Sequence, residues 1–202
     1  DEFIDKILSK LNIKYLMVGD DFKFGKERSG DFDFLSDWGS NNQIEVDRIP
    51  THSFEGRRVS STWIRESIAD GNFDLAAKLL DRRYTFSGKV VFGNKVGRTI
   101  GVPTANIWVP KSNLPIKGVY AVKALVKGET FNGIANMGVR PTVGGTSPVL
   151  EIHIFDFNEE IYGCRIEVEF YQKIRNEKKF ENLDKLKEQI NLDIAETRKY
   201  FS

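Results

Sequence analysis

The chain has 202 residues, 40% of them hydrophobic, and its 30 basic and 29 acidic side chains leave a formal charge of +1. That size and apolar content build one large domain or two small ones, and the near-neutral balance argues against nucleic acid or a membrane surface as the main partner. No apolar run approaches the roughly 20 residues of a bilayer span, the N-terminus lacks a signal-peptide layout, and a lone cysteine, Cys164, rules out an internal disulfide and suits a reducing, cytoplasmic compartment.

The first part of the chain alternates helical and extended patterns. Phe3, Ile4, Ile7, Leu8 and Leu11 recur at helical spacing, and KYLMVG (14–19) and IEVDRI (44–49) read as short strands. WIRESI (63–68) and NFDLAAKLL (72–80) read as two short helices. This is the rhythm of an α/β domain with parallel strands, and because it opens directly on a helix and strand from Asp1, the chain is expected to begin within that domain.

From Tyr84 onward the pattern turns to strand alternation. TFSGKVVFG, TANIWV, VYAVKALV, TFNGIANMG, VLEIHIFDF and CRIEVEFYQKI make six candidate strands, separated by turn residues such as KGE, VGGTSP and NEEIYG. Six mostly antiparallel strands suggest a small closed barrel, since closure removes exposed edges. A final helix follows, with Leu183, Leu186, Ile190, Ile194 and Phe201 as its apolar stripe and Asn182 as its N-cap. The boundary is expected near residues 81 to 84, dividing an α/β domain over 1–81 from a barrel domain over 82–202. There is no internal repeat and no low-complexity tract.

The stretch GRTIGVPTAN, residues 97 to 106, carries most of the chemistry. Gly97 and Gly101 allow close backbone approach, and Gly93, Asn94 and Lys95 extend an amide-rich segment of the kind that cradles phosphate. Arg98 adds a planar cation matched to phosphate oxygens. Pro103 fixes the start of a strand on which Thr104 and Asn106, two residues apart, share a face. A hydroxyl and a carboxamide oxygen are hard ligands suited to Mg²⁺, so a metal bridging them and bound phosphates would give the pair a purpose. On spacing alone, a glycine hairpin with a polar strand start fits the same residues.

In VLEIHIFDF, Leu150, Ile152 and Ile154 share one face while Glu151 and His153 share the other. A carboxylate inside a barrel mouth would accept a proton from an alcohol nucleophile, making Glu151 the candidate base for phosphoryl transfer; a solvent-facing glutamate is the alternative. His153 reads as a packing or hydrogen-bonding residue rather than a metal ligand, because no second histidine or cysteine stands at ligand spacing. Cys164 reads as a packed strand residue. NMGVRPTVGGTSP, residues 136 to 148, reads as a long loop that could act as a lid, with Arg140 available to phosphate or to an aromatic ligand.

GRTIGVPTAN, GVY (118–120), NMGVRPT (136–142), LEIHIFDFNEEIYG (150–163) and RNEKKFENLDKLKEQINLDI (175–194), in that order, resemble the riboflavin kinase family over about residues 82 to 202. The resemblance implies an all-β six-stranded Greek-key barrel with a C-terminal helix. It also implies transfer of the γ-phosphoryl group of ATP to the terminal ribityl hydroxyl of riboflavin, giving FMN and ADP. Thr104 and Asn106 would then bind Mg²⁺, Glu151 would be the base, and Gly93, Lys95, Gly97, Arg98, Gly101, Pro103, Asn136 and Arg140 would join them in ligand binding. The flavin ring would lie against loop residues and the final helix.

VGDDFKFGKERSGD (18–31) and SSTWIRESI (60–68) resemble later blocks of the FMN adenylyltransferase module that bacteria fuse in front of this kinase. Ser60, Ser61 and Thr62 stand at a helix start, where free amides and the dipole favour anions, and Arg65 follows within the first turn. The resemblance implies a triphosphate site there; a plain N-cap with a surface arginine is the alternative. The module's HxGH motif is missing, since the two histidines are His52 and His153, so the N-terminal domain reads as a partial nucleotidyltransferase-like α/β domain. The implied partners are small molecules, with no obligatory protein partner. A flavin-binding module that turns over no ATP is the competing reading, against which stand Thr104, Asn106 and Glu151; a third, an unrelated barrel sharing one glycine-rich loop, does not account for five ordered blocks.

Overall fold

A computed structural model describes residues 2–93, 97, 100–109, 114–142 and 145–202. Compactness divides the chain into Asp1–Val59 and Ser60–Ser202.

In the first unit, α1 (Glu2–Lys6) gives way to a single 3-10 turn at Leu8–Lys10. The helix expected to continue to Leu11 stops early because Ile7 and Leu11, at 49% and 56% exposure, bury little that would sustain another turn. β1 (Tyr15–Gly19) pairs in parallel with β2 (Glu45–Ile49), as the two apolar runs predicted. Between them lies α2 (Phe32–Asn41), which the sequence reading did not include; Asp31 caps it by accepting a hydrogen bond from the Phe34 amide at 3.1 Å. Leu35 from α2 joins Ile4, Leu8, Val18 and Phe24 in a small core. Two-residue strands β3 (Ser53–Phe54) and β4 (Arg57–Arg58) form a hairpin beyond β2.

The second unit opens with α3 (Ser61–Ala69) and α4 (Phe73–Leu80). Six strands follow as expected: β5 (Thr85–Val91), β6 (Ala105–Trp108), β7 (Gly118–Val126), β8 (Glu129–Thr142), β9 (Gly145–Ile154) and β10 (Arg165–Arg175). They close into a barrel in the order β10-β5-β6-β9-β8-β7, with antiparallel pairings throughout. β7, β8 and β9 are consecutive neighbours and β10 returns beside β7, which is the Greek-key arrangement. The long loop expected over 136–148 is instead a hairpin: β8 and β9 stay in register from Val139↔Pro148 to Thr142↔Gly145. Its prolines are tolerated because, among the described residues, this part of the ladder has only two strands and no third to which an amide must donate.

Helices α3 and α4 fold with the barrel rather than with the residues before them. Ile68, Phe73 and Ala76 belong to the barrel's own core cluster, where Phe73 stacks on Phe170 at 5.8 Å and meets Tyr120 edge-on at 5.5 Å. The Tyr120 hydroxyl, fully buried, donates to the Lys117 carbonyl at 2.7 Å and accepts from the Lys117 amide at 2.9 Å. Burial pushes this phenol up to about 12 from its ordinary 10.0. Its contribution to stability is therefore fully present below pH 10 and is lost as pH rises toward 12, because only the unfolded chain releases the proton in that window. Urea unfolding between pH 9 and 12 is expected to show stability falling above pH 10, with a shallower fall in Tyr120→Phe; an identical alkaline slope in the variant would refute the assignment.

The last helix, α5 (Leu183–Phe201), starts where the Asn182 side chain accepts from the Lys185 amide at 2.9 Å. Its fully covered residues are not the apolar stripe but two polar ones, Asp193 and Thr197, while Leu183 is 56% exposed. Asp193 receives Arg175 of β10 through Nε, at 3.1 and 2.8 Å to its two oxygens, and through Nη2 at 2.8 Å. Gln189 adds a bond to the same carboxylate at 2.9 Å. Near the C-terminus, Arg198 forks onto Asp156 at 3.0 and 2.9 Å.

Candidate active site

The barrel register builds the site as a row. Asn106 on β6 stands opposite Glu151 on β9, which stands opposite Asn136 on β8; Asn136 faces Val119 on β7, and Val119 faces Arg175 on β10. Alternation sends Ile107, Leu150, Ile152 and Ala135 into the barrel, each fully buried, and sends the row to the outside. Glu151 therefore does not sit in a barrel mouth as expected; it lies on the outer wall. A cavity of about 330 Å³ runs along this wall under α5, a size suited to a small-molecule ligand. Thr104, Asn106, Asn136 and Glu151 give it a polar part, and Val119, Phe180, Leu186 and Ile190 give it an apolar part, with Arg175, Glu177 and Asp193 beside them.

The loop before β6 is shaped by its glycines. A Cβ on Gly93 would fall 2.5 Å from Asn106 Oδ1, so any larger residue there would push aside that carboxamide, which is 5% exposed. A Cβ on Gly97 would overlap the Val102 carbonyl, and the Gly97 carbonyl itself accepts the Val102 amide at 2.8 Å. Gly101 has φ +84°, a left-handed conformation natural to glycine. Gly97, Thr104 and Asn106 thus meet at the cavity. Pro103 lines a smaller recess of about 80 Å³ on the other side, with Val90, Phe157 and Tyr162. Thr104 lines both spaces. Phe92 and Tyr162 stack at 4.2 Å near this recess, and Phe92 is 70% exposed.

The remaining expected residues divide. Lys95 and Arg98 lie outside the described residues, and Arg140 stands on β8 opposite Ser147 with its side chain also outside them. Ser60, Ser61, Thr62 and Arg65 sit at the start of α3 and do not line the barrel cavity. There Ser60 Oγ accepts from the Trp63 amide at 3.2 Å, and Arg65 donates to Ser61 Oγ at 3.2 Å. Sequence reading missed Arg175, Glu177 and Asp193. Glu177 is packed so closely that a Cβ on Gly138 would fall 2.5 Å from its Oε1. His153 is a hydrogen-bonding residue, as read: its Nδ1 lies 2.8 Å from the Pro103 carbonyl. Cys164 is a partly buried free thiol packed against the core, just before β10.

Residues 80–201 match the family described as riboflavin kinase, or flavokinase. The chain belongs to the riboflavin kinase family. Residues 1–63 match the FAD synthetase family. The chain is 48% identical over all its length to a bifunctional riboflavin kinase/FMN adenylyltransferase of Haemophilus influenzae, and 45% identical over 98% of its length to one of Escherichia coli strain K12. It spans 66% and 64% of those two proteins. A crystal structure described as a macrolide-efflux protein from Streptococcus pneumoniae superposes with TM-score 0.75 at 35% identity, over 98% of this chain and 64% of that one. Among the described residues, no helix is long and apolar enough to cross a membrane. The barrel, its closing helix and the order of its motifs are those expected of a riboflavin kinase.

Proposed function

We propose that this chain phosphorylates riboflavin with ATP, giving FMN and ADP. The observation that carries the reading is the cross-strand row that sets Glu151 between Asn106 and Asn136 on the wall of a cavity continued by apolar residues of α5. A flavin fits such a space with its ring toward Leu186 and Ile190 and its ribityl chain toward Glu151. The nucleotide lies across Thr104, with its phosphates on the glycine loop and its base toward the recess beside Tyr162.

In the reaction, the ribityl oxygen forms a bond to the γ-phosphorus as the bond to the β,γ-bridging oxygen breaks, and the hydroxyl proton passes to the Glu151 carboxylate. The site accelerates this by holding the two reactants in line and by giving the proton an acceptor at the nucleophile. Thr104 and Asn106 offer a neutral hydroxyl and a carboxamide oxygen, a donor set that fits Mg²⁺ shared with phosphates. Among the described residues no three His, Cys, Asp or Glu gather into a protein-only cage, so the nucleotide would supply much of the coordination. Mg²⁺ bound there would neutralise charge on the transferring phosphoryl group. Lys95, Arg98 and Arg140 belong to the same proposal as cations for phosphate.

Thr104→Ala is expected to weaken Mg²⁺-dependent ADP binding by about tenfold while leaving riboflavin binding unchanged, the loss of one ligand-side hydrogen bond or metal contact. Calorimetric titrations with and without Mg²⁺ test it, and an unaltered magnesium dependence would count against the role.

A second activity, adenylylation of FMN to FAD, is proposed for the whole protein, on the match of residues 1–63 to FAD synthetase and the names of the relatives. Its part of the chain is residues 1–81, with Ser60, Ser61, Thr62 and Arg65 on the triphosphate, and kinase function falls to 82–202. Riboflavin, FMN and ATP are then the partners, in a cytoplasmic setting. Incubating the chain with riboflavin, ATP and Mg²⁺ and resolving flavins by chromatography tests both readings. FMN supports the kinase, any FAD supports the second activity, and flavin binding with no product would favour a non-catalytic binding module.

A further inference from the structure

We infer that His153 is a positioning residue that fixes the Pro103–Thr104 end of the glycine loop to the strand carrying Glu151. This rests on the kinase reading above and assigns to the reaction a residue outside its ligand and base set. The ladder between β6 and β9 runs Trp108↔Val149, Ile107↔Leu150, Asn106↔Glu151 and Ala105↔Ile152. Continued by one step it would set Thr104 opposite His153, but the next residue, Pro103, has no amide hydrogen and the ladder stops. The His153 ring takes over: its Nδ1 lies 2.8 Å from the Pro103 carbonyl. A carbonyl oxygen only accepts, so Nδ1 carries the hydrogen.

The bond joins residues 50 apart in sequence, between the two segments that must agree in position for transfer. On one side is the residue before Thr104; on the other is the residue two beyond Glu151 and on the same face. The ring is itself held by an edge-on contact with Phe155 at 5.6 Å, so the donor has a fixed direction. Among the described residues of the loop, Gly101 sits at φ +84°, the Val102 amide bonds back to Gly97, and Val102 is buried, so the His153 bond adds a polar anchor on the β9 side to that apolar one. Loosening this tether moves Thr104 relative to Glu151 without removing either.

The test compares His153→Asn, whose amide nitrogen stands near the position of Nδ1, with His153→Gln, whose donor reaches instead toward the position of Nε2. Both keep a polar side chain, so a general loss of folding does not separate them. Three readouts are taken: KM for MgATP against kcat, calorimetric binding of MgADP, and amide hydrogen exchange over residues 97–106 without ligand. His153→Asn is expected to stay within about threefold of wild type, while His153→Gln raises KM and Kd for the nucleotide about tenfold and speeds loop exchange, with riboflavin affinity unchanged. Equal behaviour of the two variants, or loop exchange unchanged in His153→Gln, overturns the inference. If wild type makes no FMN, the kinase reading fails, and the ligand-free exchange comparison still decides whether His153 holds the loop.

Discussion

Glu151→Gln is expected to lower kcat for riboflavin phosphorylation by about 10²–10⁴-fold, the usual worth of a positioned base, while the riboflavin dissociation constant stays within about twofold. The substitution keeps size and hydrogen-bonding capacity but removes the proton acceptor. Its neighbours in the row, Asn106 and Asn136, are neutral amides, so neither can take over the proton. The backbone around residue 151 is paired on both sides, which keeps the variant side chain on the same wall. Steady-state kinetics with a parallel flavin fluorescence titration separate the two effects. A kcat within about threefold of wild type would remove Glu151 from the role of base, and a matching loss of flavin affinity would make it a binding residue.

Arg175→Leu is expected to cost about 3–5 kcal/mol of stability, because it leaves a covered carboxylate without its cation. Asp193 is 3% exposed and Arg175 21%, and the pair joins the middle of α5 to the end of β10 beside the cavity. Domains of this kind hold only about 5–15 kcal/mol in all, so the variant should lose the helix from the wall first and its flavin site with it. Replacing both partners, Arg175→Met with Asp193→Leu, should recover most of the stability, since two apolar groups leave no charge to solvate. Urea unfolding monitored by circular dichroism measures both. A single variant costing under about 1 kcal/mol would mean that the stripe contacts of Leu186, Ile190 and Ile194 hold α5 by themselves.

The barrel was legible because its strands alternate cleanly: Leu150, Ile152 and Ile154 turn inward while Glu151 and His153 turn outward. The pairing of Thr104 and Asn106 on one face followed from their spacing, and so did the cap at Asn182. What spacing cannot give is which side of a closed sheet holds the ligand: it suggests the barrel mouth for Glu151, which belongs to the outer wall. Arg175 and Asp193 are 18 residues apart, and Asp193 looks like one more charge on a charged helix until the strand brings its partner. Residues 136–148 read as a loop because glycine and proline usually mark turns, a rule that fails beyond Met137, where among the described residues only β8 and β9 pair. α2 is hard to see in the sequence although Asp31 caps it, since Gly39 and two serines dilute its apolar pattern.

The packing of Phe73 against Phe170 also sets a timetable. The α3–α4 pair leaves the ribosome about a hundred residues before β10 does, and at roughly 5–20 residues per second that is a wait of about 5–20 s. For that interval the apolar face around Ile68 and Phe73 has Tyr84 and Tyr120 for partners but lacks Phe170, the part of its cover that the last strand to be made supplies. Newborn chains of this protein are therefore most exposed to aggregation and to chaperone capture late in synthesis, when most of the barrel has been translated and β10 has not emerged.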